Sequence, residues 1–221
     1  MGLFHRYIAD NGNPSSLASR LRRKRFAFFS ALLDVEPKPS RILDVGGTIG
    51  FWQSMRAIRP GLEITLLNRR PPAQPLPSGF YAAIGDACEM TDFGDAEFDL
   101  VFSNSVIEHV GTIEDQLHMA CEVRRVGKRY FVQTPNRFFP IEAHFLLPWF
   151  QFYPRPLQLE LTRRFDLGWH PKQPDRERAS ARLDELRLLD ATEMQRLFPD
   201  ARIHRERIAG LTKSLIAIGP T

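Results

Sequence analysis

Two pairs of acid and imidazole stand out in this chain, Glu108-His109 and Glu142-Ala-His144, beside a glycine cluster at Asp44-Val-Gly-Gly-Thr-Ile-Gly50. An imidazole titrates near neutral pH, so it can take a proton from a nucleophile at working pH. His109 is the first candidate for such a base, with His144, Glu142 and Glu108 as the others. A structural histidine bonded to backbone is the competing reading of His109. The glycines have a different use. They let backbone turn with positive φ and approach a ligand with no Cβ in the way.

These residues need a frame, and the hydrophobic pattern supplies one. Ile42 to Val45 is an apolar run interrupted only by Asp44, as expected of a parallel strand covered on both faces. The glycine turn follows, then a helix from about Ile49 that stops before Pro60, with Phe51, Met55 and Ile58 on one face. A strand, a glycine turn and a helix in that order hold nucleotide-like ligands at the carboxyl ends of doubly wound sheets. The dinucleotide fingerprint G-x-G-x-x-G fails, however: counted from Gly46, its other two positions are Thr48 and Phe51. Further strands are expected at Leu62–Leu67, Phe80–Ile84, Leu100–Phe102 and Arg129–Gln133. A last pair, Ala201–Ile208 and Ser214–Ile218, is joined by a link short enough for an antiparallel hairpin. Thr112-Ile-Glu-Asp115 and Asp190-Ala-Thr-Glu193 have the form of capping boxes and open two helices. Ser15 or Ser16 can cap an earlier helix to about Leu33, with Leu17, Leu21, Phe28, Phe29 and Leu32 as its buried stripe. By this topology Glu108, His109, Glu142 and His144 all lie at strand ends on one crevice.

Asp44 followed by Gly46-Gly47-Thr48-Ile49-Gly50 resembles the first motif of class I S-adenosylmethionine-dependent methyltransferases, with Thr48 where the family often has its middle glycine. The segment Asp99-Leu-Val-Phe-Ser-Asn-Ser-Val-Ile-Glu-His-Val110 resembles the family's fourth-strand motif, and Asp86 its acidic adenine contact. The resemblance implies an α/β fold: a Rossmann-like seven-stranded sheet, parallel with an antiparallel C-terminal hairpin, helices on both faces. It also implies S-adenosylmethionine as cofactor, held by Asp44, Gly46, Gly47, Thr48, Gly50, Asn68, Asp86, Ala87 and Ser103. Asn68 lies 24 positions after Asp44, near the offset of about 20 at which an acidic residue takes the ribose hydroxyls. An amide can bond a diol but brings no charge.

The expected activity is methyl transfer to a small molecule or a lipid or glycan intermediate, at oxygen ahead of nitrogen or carbon. Residues 1–39 are expected to form an N-terminal helical extension, and 40–221 the methyltransferase domain, with a lid or substrate insertion at about 140–189. The insertion opens on crowded aromatics, Trp149, Phe150, Phe152 and Tyr153, so a peripheral membrane contact competes with the lid reading there. Two rival functions stand beside the enzyme. One is an RNA-directed methyltransferase using Arg20-Leu-Arg-Arg-Lys-Arg25; the other is a catalytically silent scaffold, suggested by Thr48 and Asn68. The basic run lacks the interleaved aromatics of a base-stacking surface, so nucleic acid ranks below a solvated helix face.

Composition narrows the rest. The chain has 221 residues, a net charge of +4, two cysteines and six histidines. No apolar run nears the roughly 20 residues of a membrane span, and the N-terminus lacks the apolar core of a secretory signal. A cytoplasmic protein with reduced thiols and no obligate protein partner is expected. No H-x-x-x-H or C-x-x-C spacing appears, so no metal ligands are expected. The absence of a G-x-S-x-G elbow, a P-loop and an N-P-P-Y motif argues against acyl transfer, phosphate-loop chemistry and a DNA adenine substrate.

Overall fold

The computed structural model describes residues 17–34, 38, 40–55 and 60–221, with the side chains of 17–22 left aside. The strands are β1 (Arg41–Val45), β2 (Glu63–Asn68), β3 (Phe80–Ile84), β4 (Leu100–Asn104), β5 (Tyr130–Pro135), β6 (Arg202–Ile208) and β7 (Leu211–Gly219). They form one seven-stranded sheet in the order β3-β2-β1-β4-β5-β7-β6. β1 pairs in parallel with β2 and β4, β2 with β3, and β4 with β5, whereas β7 runs antiparallel to β5 and β6. The parallel sheet with an antiparallel C-terminal hairpin is therefore present. The hairpin is tighter than expected: its link is Ala209-Gly210, both at positive φ (48° and 83°), the backbone a type I′ turn requires. Leu211 to Lys213, read from sequence as loop, belong to β7.

Alternation along the buried strands divides the interior into two cores. Leu43, Val45 and Val101 face α3 (Ile113–Val126) and α6 (Ala191–Leu197), meeting Met119, Val123, Met194 and Leu197. Ile42, Ile64 and Phe102 face the other way, onto α1 (Leu17–Leu33) and α2 (Ile49–Met55). Both capping boxes are made: Thr112 and Asp115 exchange bonds at the start of α3, and Asp190 and Glu193 at the start of α6. Each satisfies two donors that a helix start leaves without partners.

The α1 stripe is Phe26, Phe29 and Leu33, all buried, with Phe28 and Leu32 half-buried beside it. Leu17, Leu21 and the cap at Ser15 or Ser16 lie outside the described side chains or residues, as do Pro37, Pro39 and Ile58. In α2 the residue that enters the core is Trp52, fully buried, where the sequence put Phe51 and Met55 foremost. Those two pack at its edge.

Between β5 and α6 the chain forms a short 3₁₀ turn (Phe150–Phe152), α4 (Arg155–Arg164) and α5 (Arg176–Asp184). Phe145, Phe150, Leu167 and Leu183 form a third small core here, separate from the two on the sheet. Trp149, Phe152 and Phe138 remain exposed. Among the described residues no helix is long and apolar enough to cross a membrane.

Candidate active site

The site begins at the end of β1. Gly46 has φ +75°, and a side chain there would start 2.5 Å from Cγ2 of Val106. Its N–H donates to the Leu67 carbonyl at 2.8 Å. The turn is thus tied to β2 on one side and pressed by the residue after β4 on the other. Asp44, almost fully buried, accepts the Trp52 indole N–H at 2.7 Å. Burial pushes its carboxyl up to about 7, and the Trp52 bond offsets part of that rise. Thr48 accepts the Phe51 N–H through Oγ1 in a long contact of 3.4 Å. The residue standing in place of a glycine therefore caps α2. Gly50 looks into open space, with no atom within 4 Å of where a side chain would start.

At the β2 and β3 ends, Asn68 donates through Nδ2 to the Gly47 carbonyl at 2.9 Å, clipping the glycine turn to β2. Asp86 accepts the Cys88 N–H at 2.9 Å and pairs with Arg69 at 2.9 Å. The Cys88 bond, aided by Arg69 against a desolvation penalty, holds the Asp86 carboxyl below its usual range. It stays an anion able to accept from an amine. Ala87 lies in the same turn. Ser103 sits opposite Val45 in the β1–β4 register, buried, its Oγ without a hydrogen-bond partner.

The third edge is built from β4 and β5. Ser105 takes positive φ (58°) and donates its N–H to the Gln133 carbonyl at 3.0 Å. That kink turns the chain into a 3₁₀ turn, Ile107–His109. Glu108 points inward and is fully buried, accepting the Thr134 hydroxyl at 2.9 Å through Oε2 while Oε1 has no partner. Burial raises its carboxyl to about 7, opposed first by the charge of His144. His109 sits at the exposed rim; partial desolvation and then the His144 charge pull its imidazole down. Its ring stands edge-on to His144, centroids 4.8 Å apart. On His144, burial acts downward, but the bond and charge of Glu142, with Glu108 behind, outweigh it and leave a net rise. Glu142 holds Nδ1 of His144 at 2.8 Å, and its other oxygen accepts the N–H groups of His144 and Phe145.

The structure thus brings Glu108, His109, Glu142 and His144 together, and sets Asp44, Gly46, Gly47, Thr48, Gly50 and Asn68 in the neighbouring turn. Val106 joins the two groups, its side chain on Gly46 and its chain position just ahead of Glu108. Asp86 and Ala87 are on the far side, beyond β2.

Several supporting residues carry no local sequence signal. Gln116 is buried on α3 and donates to the Ile107 and Arg187 carbonyls at 2.9 Å each; Arg187 donates its N–H to the Glu108 carbonyl at 2.8 Å. Arg187 also pairs with Glu193, and Arg137 with Glu193 and Asp190. Gly168 and Trp169 brace the His144 loop: Trp169 donates its N–H to the His144 carbonyl at 3.1 Å and its indole N–H to Ala143 at 3.2 Å. Arg25, part of the basic run, turns inward. It bonds Asn104 and Gln133 at 2.9 Å each and pairs with Glu206 at 2.6 Å.

Sheet order, hairpin and glycine turn together define a class I methyltransferase fold. In agreement, residues 43–130 match the family model described as a methyltransferase domain. Two uncharacterized proteins of Mycobacterium tuberculosis are 28% identical over 130 residues, a match taking in 52% of this chain and 42% of theirs. The chain thus spans well under two thirds of those relatives. A Pyrococcus horikoshii protein superposes with a TM-score of 0.53 at 16% identity, over 99% of this chain and 98% of that one. The 1,6-didemethyltoxoflavin-N1-methyltransferase of Burkholderia thailandensis, crystallised with 1,6-didemethyltoxoflavin and S-adenosylhomocysteine, gives 0.53 at 14% identity, over 90% and 76%.

Proposed function

We propose that this chain transfers a methyl group from S-adenosylmethionine to an oxygen atom of a small molecule, or of a lipid or glycan intermediate, bound beneath the α4–α5 segment. The observation that supports it most is the adjacency of two groups of residues. The Gly46 turn, at positive φ, is packed against Val106, and the cluster of Glu108, His109 and His144 begins two residues beyond Val106. The residues fit the cofactor. The positive φ of Gly46 and the open space at Gly50 leave room beside the turn, and Asp86 offers an anionic acceptor suited to an exocyclic amine. When bound, S-adenosylmethionine supplies an electrophilic methyl on sulfur. The chain's own part is to align an acceptor with that methyl, which accounts for much of the rate in an in-line displacement, and to receive or release the acceptor's proton. The α4–α5 segment would supply the acceptor's contacts. The two free thiols, Cys88 and Cys121, suit a cytoplasmic setting.

The test is calorimetric titration with S-adenosylmethionine and S-adenosylhomocysteine, with NAD as control. Binding of the first two at micromolar concentration, lost in Gly46→Arg and weakened at least about tenfold in Asp86→Ala, is the expected result. Folded protein that ignores both ligands at millimolar concentration would leave a methyltransferase-like scaffold instead.

A further inference from the structure

Glu108, His109 and His144 each place one donor atom within 4.8 Å of the other two. They come from two loops, the first two from the turn after β4 and the third from the loop after β5. Three features distinguish this group from a chance cluster of titratable side chains.

The first is the unused oxygen on Glu108. Its side chain is wholly buried; Oε2 takes the Thr134 hydroxyl, and Oε1 has no hydrogen-bond partner. A buried carboxylate oxygen without a partner is costly, and native structures keep such atoms for a reason. The second is the orientation of His144. With Nδ1 committed to Glu142 at 2.8 Å, Nε2 is the nitrogen left to act toward Glu108 and His109. A carboxylate on the far nitrogen is the outer support that metal-bound histidines characteristically carry, where it fixes the tautomer and raises the basicity of the ligating atom. The third is rigidity. Glu142 also caps its own loop through the His144 and Phe145 N–H groups, and the Glu108 backbone is held by Arg187.

We propose that Glu108, His109 and His144 form a mononuclear site for a divalent cation of the zinc class, with Glu142 as its outer support. Two imidazoles and one carboxylate suit zinc, cobalt, iron or manganese rather than calcium, which prefers an all-oxygen shell. Three protein ligands leave at least one position open, the arrangement of catalytic rather than structural sites. His109 is exposed, which leaves that open position accessible from outside the protein. The proposal rests on the reading that this crevice takes a methyl acceptor, and it narrows the acceptor to compounds whose hydroxyl can bind a cation. A hydroxyl held there loses its proton to solvent more readily, so the histidines hold the cation and need not act as base. Spacing along the chain hid the site, because His144 lies beyond an intervening helix and strand from Glu108 and His109.

The test uses tag-free, chelator-treated full-length protein titrated with Co2+ followed by visible absorption, and with Zn2+ by calorimetry. S-adenosylhomocysteine binding is measured alongside. The expected result is one cation per chain, with the Co2+ spectrum of a low-coordinate N/O site displaced by Zn2+. Affinity should fall at least about 100-fold in Glu108→Gln and His144→Ala, and about 10- to 100-fold in Glu142→Gln, with S-adenosylhomocysteine binding unchanged. His109→Ala alters a rim side chain and decides the matter if a buried variant fails to fold. Failure to bind either cation overturns the proposal, as does binding that survives His109→Ala and Glu108→Gln. Protein that binds S-adenosylhomocysteine but no cation keeps the methyltransferase reading and loses the metal site; protein that binds the cation alone does the reverse.

Discussion

The carboxylate of Asp44 occupies the place where a side chain on Gly47 would begin: a methyl group there would fall 1.7 Å from Oδ2. Asp44 cannot retreat, since it is buried and bonded to Trp52. Gly47→Ala is therefore expected to displace the turn, costing about 1–3 kcal/mol of stability and at least a tenfold loss of S-adenosylhomocysteine affinity. Gly50→Ala, on a helix with open space beside it, should be neutral or stabilising by up to about 1 kcal/mol. Urea unfolding and calorimetry of the two variants check this contrast. Equal behaviour would refute it.

Asp44 also makes stability depend on pH. Its carboxyl rises from 3.8 to about 7 in the folded chain because burial disfavours the anion. A raised folded-state value means the native state holds the proton longer than the unfolded chain. The resulting stabilisation is complete below 3.8 and is lost as pH climbs through about 7. Asp44→Asn keeps an acceptor for Trp52 and removes the titration. The wild type should lose stability relative to this variant between about pH 4 and pH 7, and the difference should level off above that window. Urea midpoints across the range measure it; a constant difference would show that Asp44 does not titrate there.

The parts of this architecture visible in the sequence are those whose cause is local. Strands buried on both faces read as apolar runs at Ile42–Val45 and Leu100–Phe102, and the boxes at Thr112 and Asp190 carry both partners within four residues. What stayed hidden depends on distant partners. Arg25 reads as one more charge in a basic run, since Asn104, Gln133 and Glu206 come from three separate strands. Trp52 carries no signal in its own segment, and only its bond to the buried Asp44 acid singles it out. Thr48 read as a departure from a glycine pattern, whereas folded it caps α2. The cluster of Glu108, His109 and His144 depends on two loops meeting, which spacing rules for a single segment do not detect.

Arg25 and Glu206 form a nearly buried ion pair at 2.6 Å, with side chains 10% and 9% exposed. Burial works to raise the Glu206 carboxyl, and the Arg25 charge and hydrogen bond overcome it, so the net shift is downward. Removing the cation alone leaves an uncompensated buried anion as well as two amide oxygens, on Asn104 and Gln133, without their donor. Arg25→Met is expected to cost about 3–5 kcal/mol. Arg25→Met with Glu206→Leu should recover much of that, because replacing a buried pair by apolar groups of similar size is often close to neutral. Chemical denaturation of the two single variants and the double variant closes the cycle. A double variant as unstable as the sum of the singles would show the two residues to be uncoupled.

Gly168 offers a way to move His144 without altering any titratable group. It lies at φ +55°, and a side chain there would start 2.4 Å from the His144 carbonyl and 2.7 Å from the Phe145 carbonyl carbon. The contact is with backbone, so no rotamer change relieves it, and the positive φ adds strain for any residue with a Cβ. Gly168→Ala should push the Ala143–Phe145 loop away from the Leu167–His170 turn and loosen the Glu142 grip on His144. The glycine turn at Gly46 lies on another strand end, outside the reach of this change. The expected outcome is a loss of at least tenfold in turnover of a methyl acceptor, as 1 Å misplacements of positioned groups can produce, with S-adenosylhomocysteine affinity kept within about twofold. Stability should fall by about 1–3 kcal/mol, little enough for the variant to remain folded. Loss of both turnover and cofactor binding would instead mean that the α4–α5 segment supports the whole crevice. Unchanged turnover would remove His144 from the working site.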